Sequence, residues 1–341
     1  MSITRRELLL ATSFSALPLS LAAQTLEKKQ LTIAVGGKHL VYYLPLSIAE
    51  QLGYFKDEGL DVKIVDFAGG SRALQAVVGG SADVVSGAFE HTISMQAKGQ
   101  RMRAFVLQGR APQVVLAVNK RTLPNFKSVA DLRGKKIGVT APGSSTAIMA
   151  NFVLAQAGIK PNEVSFIGVG ASQSAVAAIR SGQIDAVVNL DPVITILERA
   201  GDIQVVSDTR VLAESEKVFG GPMPAGTLYA PQTFIDKNPA TVQALTNAIV
   251  RANHWIQKAG PSELIKTVPE SYLLGDRAVY IDGFLRTRDA LSPDGLFPEQ
   301  GPATALRALA SVDPKLANAR IDLASTYTND FAKKSQARVK P

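Results

Sequence analysis

Gly69-Gly70-Ser71-Arg72-Ala73-Leu74-Gln75-Ala76-Val77-Val78-Gly79-Gly80-Ser81-Ala82-Asp83-Val84-Val85 is echoed 102 positions later by Ala171-Ser172-Gln173-Ser174-Ala175-Val176-Ala177-Ala178-Ile179-Arg180-Ser181-Gly182-Gln183-Ile184-Asp185-Ala186-Val187. Ala73 answers Ala175, Ala76 answers Ala178, Gly80 answers Gly182, Asp83 answers Asp185 and Val85 answers Val187. The register extends backwards, since Val62-Lys63-Ile64-Val65 stands 102 residues before Val164-Ser165-Phe166-Ile167. Each copy runs through a strand, a small-residue loop, a helix, a glycine turn, an aspartate and a buried strand, which is one βαβ unit. Two such units predict an α/β fold with two similar lobes, and two facing lobes leave a cleft. A chain of 341 residues exceeds one ordinary domain and suits two.

Apolar residues make up 46% of the chain and aromatic residues 6%, an ordinary globular composition. No run of about 18 apolar residues occurs. At the N-terminus, Arg5-Arg6 precede an apolar stretch over residues 8–21, broken by Pro18. Ser20-Leu21-Ala22 or Leu21-Ala22-Ala23 then offers a small-residue cleavage site, so residues 1–22 are expected to be an export signal. Thr4-Arg5-Arg6-Glu7-Leu8-Leu9 also resembles a twin-arginine signal, with Leu8 where phenylalanine is usual. Cysteine is absent, which excludes disulfides, thiolate metal sites, a cysteine nucleophile and cysteine-borne lipid anchors. Export without a lipidated cysteine points to the periplasm. The net charge of +8 is dispersed in small groups such as Lys28-Lys29, Arg133/Lys135/Lys136 and Lys333-Lys334. No basic stripe interleaved with aromatics appears, so nucleic acid is not an expected partner. A mild positive field favours anionic ligands.

Along the mature chain, strands are predicted over residues 31–35, 62–65, 83–86, 103–107 and 114–118. Helices are predicted over 45–52, 70–78 and 89–97. The break at Leu123-Pro124-Asn125 opens a fresh βαβ series, with strands at 136–139, 164–169, 185–188 and 203–206 and helices at 146–157, 172–180 and from Pro192. Gly220-Gly221-Pro222-Met223-Pro224-Ala225-Gly226 is the densest Gly/Pro stretch and reads as the return between lobes. Thr241 then opens the clearest helix, to residue 258, and the remainder is helical. Lobe one is therefore expected from residues 31–118 plus 228–331, lobe two from 119–227, and a flexible tail from 332–341. Two crossings, near Asn119 and Gly226, make a hinge that bends rather than tumbles.

Leu44-Pro45-Leu46-Ser47-Ile48-Ala49-Glu50-Gln51-Leu52-Gly53-Tyr54-Phe55-Lys56-Asp57-Glu58-Gly59-Leu60 resembles the opening of solute-binding proteins of the nitrate/sulfonate/taurine family, which is thiamine-precursor-like. Asp131-Leu132-Arg133-Gly134-Lys135-Lys136, Pro142-Gly143-Ser144-Ser145-Thr146 and Ile184-Asp185-Ala186 follow that family's order, and the likeness covers about residues 31 to 260. The resemblance implies a two-lobed periplasmic-binding-protein clamshell with a helical C-terminal region. It also implies ABC permease and ATPase subunits at the inner membrane as partners.

In open α/β sheets ligands sit beyond the carboxyl ends of strands, at the N-termini of the following helices. That rule selects the loops 36–43, 69–72 and 87–91 in lobe one, and 140–146, 168–172 and 189–191 in lobe two. Pro142-Gly143-Ser144-Ser145-Thr146 is the best anion cradle, because free helix N–H groups combine there with hydroxyl donors. Its alternative is an ordinary N-cap by Ser144 or Ser145. Thr140 and Gly170 lie in the same loop set, and Gly70 and Ser71 form the matching cradle of lobe one. Arg72 would clamp a sulfonate or carboxylate, or else lie in solvent. His39, Tyr42 and Tyr43 would cover a ligand body or pack on the lobe surface. Phe89 offers a wall, and Glu90 suits an amine on the ligand or caps its own helix. Asn189 and Asp191 stand at the echo of Gly87 and Phe89. His91 and His254 carry little signal, and three scattered histidines supply no transition-metal site.

Capture of a small organic anion, sulfonate-, taurine- or nitrate-like, for an importer is the leading reading. Tyr42, Tyr43 and Phe89 hint that the ligand has an apolar or ring portion. The alternative ligand is a thiamine pyrimidine precursor or another heterocycle. A pyrimidine-synthesising enzyme on the same scaffold, with Lys38-His39 as a reactive pair, is a further alternative. No Gly-x-Ser-x-Gly, dinucleotide fingerprint or P-loop occurs, and no cofactor is expected. A monomer is expected, and a sensor could replace the permease as the receiver of the closed form.

Overall fold

The computed structural model describes residues 25–338. The predicted export signal lies outside the described residues. Among the described residues there are ten strands: β1 (Gln30–Val35), β2 (Asp61–Asp66), β3 (Val84–Ala88), β4 (Met102–Leu107), β5 (Val115–Asn119), β6 (Lys136–Val139), β7 (Ser165–Gly168), β8 (Ala186–Asn189), β9 (Ile203–Asp208) and β10 (Gly226–Pro231). They form two five-stranded sheets, ordered β2-β1-β3-β10-β4 and β7-β6-β8-β5-β9. Place for place the two orders are the same, so the echo in sequence is an echo in topology. In each sheet three parallel strands form a βαβ core, and the fourth position runs antiparallel to both neighbours. That fourth strand, β10 in one lobe and β5 in the other, is the first one laid down after the chain arrives from the opposite lobe.

The two copies share their local devices as well as their order. Asp83 Oδ2 accepts from the Thr32 backbone N–H at 2.9 Å, and Asp185 Oδ2 accepts from that of Lys136 at 3.0 Å. Both aspartates also donate their own N–H to the same residue's carbonyl. The repeated aspartate thus pins the start of each lobe's first parallel strand and fixes its register. Gly80 and Gly182 both adopt φ +76°, where a side chain would be strained, and end the two repeated helices, Gly70–Val78 and Gln173–Ser181. Between them, β3 and β8 are buried throughout, as parallel strands covered on both faces must be.

Two sequence expectations are corrected. The strand assigned to residues 114–118 of lobe one belongs to lobe two, where β5 pairs with β8 and β9. The first crossing therefore spans residues 108–114 rather than lying near Asn119. A strand whose residues are all buried carries no sign of which sheet it joins, and the Leu123-Pro124-Asn125 break proves to be a turn inside lobe two. The tail expected to be flexible from residue 332 is instead a helix, Asp330–Arg338, packed on the helix Pro239–Lys258. Ser335 donates to Asn247, Gln336 Nε2 donates to the Asp294 carbonyl at 2.6 Å, and Arg338 reaches Glu58. Its buried face carries Ala332 and Ser335, too small and polar to mark an amphipathic pattern.

Replacing Asp83 or Asp185 with alanine removes a charge-assisted bond to backbone and is expected to cost about 1.5–3 kcal/mol. Asparagine, which keeps the acceptor oxygen, should lose less than half of that. Urea midpoints of the four variants against the parent protein measure both effects.

Candidate functional site

The lobes are shut on each other, and the predicted loops meet where the strands end. Ser71 N donates to Ser144 Oγ at 3.0 Å, Ser144 Oγ lies 3.1 Å from Ser71 Oγ, and Ser71 Oγ donates to the Pro142 carbonyl at 2.9 Å. The N-terminus of the helix Gly70–Val78 in lobe one therefore faces that of Ser145–Gln156 in lobe two. Glycine at 69 makes the approach possible: a Cβ there would stand 2.8 Å from Ala141 Cβ and 3.0 Å from Ser144 Oγ. Inside this contact is a cavity walled by Leu40, Tyr42, Tyr43 and His91 from lobe one and by Thr140, Ser144, Ser145, Thr146 and Leu190 from lobe two. It holds only about 20 Å³, room for a single water. A larger solute enters by parting the lobes or turning the tyrosines. A roomier groove beside Glu27–Gln30 and Lys56–Asp61 lies at the opposite, amino-terminal edge of β1 and β2, where the Glu27 carboxylate already accepts from the first-turn N–H groups of the helix Pro239–Lys258.

The polar groups of the cavity are hydroxyls and the His91 imidazole, set among apolar Leu40, Ala88, Val114 and Leu190, and among the described residues no lysine, arginine or carboxylate lines it. Thr140 and Thr146 hydroxyls are 2.9 Å apart, and Thr146 Oγ1 also accepts from Thr140 N. Glu90, the first residue of the helix after β3, is 1% exposed. Burial raises its carboxyl above the usual range, opposed by the Ser145 hydroxyl, and its Oε1 has no hydrogen-bond partner. His91 Nδ1 lies 3.0 Å from Tyr229 Oη. Its Nε2 faces the Gly143 backbone without completing a hydrogen bond, and burial lowers the imidazole to a pKa of about 4. Tyr42 Oη is buried and unpaired, and burial pushes the Tyr42, Tyr43 and Tyr229 phenols upward.

A profile described as NMT1/THI5 like matches residues 41–263, more than half of the chain. The chain belongs to the NMT1/THI5-like family. A solved protein of Bordetella bronchiseptica RB50 is 62% identical, covers 92% of this chain and 99% of its own, and superposes with a TM-score of 0.91. The alkanesulfonate-binding protein SsuA from Xanthomonas axonopodis pv. citri, bound to MOPS, is 20% identical over 89% of this chain and 100% of its own, with a TM-score of 0.66. The 4-amino-5-hydroxymethyl-2-methylpyrimidine phosphate synthase THI13 of Saccharomyces cerevisiae is 25% identical over 67% of each chain. The fold is that of the periplasmic solute-binding proteins, as the sequence resemblance implies.

Within this NMT1/THI5-like cleft the predicted site residues divide. Tyr42, Tyr43, Gly70, Thr140, Ser144, Ser145 and Thr146 line the cavity, Glu90 lies directly behind Ser145, and Ser71 and Gly143 meet at the rim. The others are engaged elsewhere. Arg72 is exposed and reaches Gln75 along its own helix. Phe89 packs into lobe one against Phe297 and Tyr327, with ring centroids 5.3 and 6.2 Å away. His39 Nε2 lies 2.5 Å from the Ala171 carbonyl and ties the lobes beyond the cavity. Asn189 Nδ2 donates to the Gly170 carbonyl, bracing two lobe-two loops. Asp191 accepts from Thr195 N and Oγ1, a plain helix cap, and pairs with the buried Arg210. His91 and Tyr229 were not expected at the site. The strand-end rule took in His91 with the loop 87–91, although the residue by itself carried little signal, whereas Tyr229 enters only because β10 docks beside β3.

Outside the cavity an ionic network holds the cleft shut. Arg210, fully buried, contacts Asp191, Glu198 and Asp208, and Glu198 also receives Arg286 at 2.9 Å. Burial opposes the Arg210 charge, but these carboxylates hold it cationic. Arg199 pairs with Asp282, and Gln173 Nε2 donates to the Leu274 carbonyl at 3.1 Å. The helix Val193–Arg199 of lobe two is thereby strapped to the C-terminal helix Arg277–Thr287.

Two outcomes are expected. The double variant Arg199→Ala/Arg286→Ala loses two partly exposed cross-lobe pairs, each worth up to about 1 kcal/mol. X-ray scattering of the ligand-free variant should show a more open molecule than the parent. His91 stays neutral in the folded protein down to about pH 4 but takes up a proton near pH 6.5 when unfolded. Between those values the unfolded chain binds more protons, so this contribution is complete above pH 6.5 and is lost as pH falls toward 4. Glu90, raised, acts in the opposite direction and loses its contribution as pH rises. His91→Gln should therefore flatten the acid limb of stability, read from urea midpoints between pH 4.5 and 7.

Proposed function

We propose that this protein is the periplasmic solute-binding component of an ABC importer and captures a small organic solute with an anionic or acceptor end between its two lobes. One observation carries the reading: two helix N-termini, one from each lobe, converge on a single cavity with serine and threonine hydroxyls at their tips. Each presents the positive end of a helix dipole, and the Ser71 N–H now held by Ser144 is a donor a solute would take over, so an anionic group between them is held by both lobes only when the cleft is shut. Closure is then the consequence of binding, and the shut form is what a permease would recognise. Driving a mostly open molecule to a mostly shut one takes roughly 5.5 kcal/mol of preference for the shut state. Charge-assisted hydrogen bonds in a desolvated cleft are of that order when two or three act together. The solute-binding fold supports the reading, and the alkanesulfonate bound by SsuA illustrates one ligand of this chemistry.

The enzyme alternative, for which the yeast synthase is the precedent, depends on a reactive group in the cleft. The Lys38-His39 pair proposed for that role is occupied elsewhere. Lys38 is bound to Glu50 at 2.6 Å and His39 lies against the Ala171 carbonyl, and neither lines the cavity. Substrate capture without chemistry is the reading these positions favour.

Purified protein screened against short alkyl sulfonates, carboxylates and amino-substituted heterocycles is expected to melt several degrees higher with a cognate solute. The same solute should contract its scattering profile toward the shut form. A panel that moved neither the melting temperature nor the scattering curve would remove the case for solute capture.

A further inference from the structure

This inference rests on reading the cleft as the solute site and concerns which solute it takes. Glu90 stands beside the cavity, behind its lining residue Ser145; it is almost wholly buried and forms no ion pair among the described residues. The Ser145 hydroxyl and the backbone N–H of Glu90 itself donate to it, and Oε1 is left with no partner. The groups packed around it cannot complete it with charge: Tyr42, Tyr43 and Tyr229 are neutral phenols, and His91 spends one ring nitrogen on Tyr229. Of the basic residues on the cleft loops, Lys38 is committed to Glu50 and Arg72 reaches toward Gln75. A buried carboxylate without a cation or a full set of donors is strongly unfavourable, by several kcal/mol. Two further buried polar atoms on residues that line the cavity, Tyr42 Oη and His91 Nε2, are unpaired as well.

We propose that the solute carries a donor nitrogen, an amine or an amino-substituted ring, which docks on Glu90 while its acceptor end takes the two helix N-termini. Tyr42 and Tyr43, whose rings meet edge to face at 4.8 Å, flank that nitrogen with the aromatic surface that favours a cation or a ring amine. The cleft is thus bipolar: donors from both lobes at the serine contact, an acceptor at Glu90. A nitrogen-free anion of the same size satisfies only one end and leaves Glu90 unpaired.

The test uses matched probes: 2-aminoethanesulfonate with ethanesulfonate, 3-aminopropanoate with propanoate, and 4-aminopyrimidine with pyrimidine. Calorimetry on the mature protein is paired with mass spectrometry of any small molecule released from it on denaturation. The aminated member should bind at least tenfold more tightly in whichever pair binds, and a released solute should contain nitrogen. Glu90→Gln, nearly the same shape, should erase most of that tenfold preference, and Glu90→Asp should retain part of it. Thermal melts of both variants confirm that they fold. Equal binding within a pair, a preference untouched by Glu90→Gln, or a nitrogen-free released solute overturns the proposal while leaving solute capture intact. No binding by any probe and no released solute overturns both.

Discussion

Parallel strands deliver the chain to the same edge of a sheet every time, and in this molecule that edge is where both lobes face each other. Each βαβ unit therefore ends with a helix N-terminus aimed into the gap, and the duplication of the unit doubles the effect. Ser71 and Ser144 meet because of this constraint and not because their own sequences attract one another. The antiparallel fourth strands add the hinge. Since β10 and β5 are each reached by a chain crossing from the other lobe, the two halves cannot separate, but they can rotate about the crossings.

The cleft separates its electrical duties. Fixed positive charge is kept out of the cavity and concentrated behind it, where Arg210 is surrounded by Asp191, Glu198 and Asp208. A buried arginine with several carboxylates is well satisfied and rigid, which suits a structural anchor better than a ligand clamp. The polar surface of the cavity is made of oriented backbone and hydroxyl groups, whose dipoles are preorganised and need no bulky side chain. Such a surface can close to within a water's volume when empty and still present several donors when a solute parts it.

Closure is stabilised at two distances from the cavity. The serine contact and the histidine at 39 close the inner rim. The strap between the helices Val193–Arg199 and Arg277–Thr287 acts farther out, through ion pairs that are partly exposed and therefore weak and salt-sensitive. Under the proposed function, weak outer pairs leave the solute to contribute the decisive share of the closing free energy.

The sequence by itself determined the lobes. Equal spacing of alanines, glycine and aspartate in the two copies encodes local devices, a helix, its glycine stop and a register-pinning carboxylate, and local devices are legible because they depend on near neighbours in the chain. The strand-end rule then located the two serine cradles and Glu90. Only the tertiary structure decided which lobe owns β5, because a fully buried strand looks the same in either sheet. It alone turned Arg72 outward, sent Phe89 into the core and gave Asp191 to Arg210, since each choice depends on partners distant in sequence. It also brought Tyr229 to His91 across 138 residues, a meeting that no local pattern encodes because it arises from the packing of one lobe's returning strand.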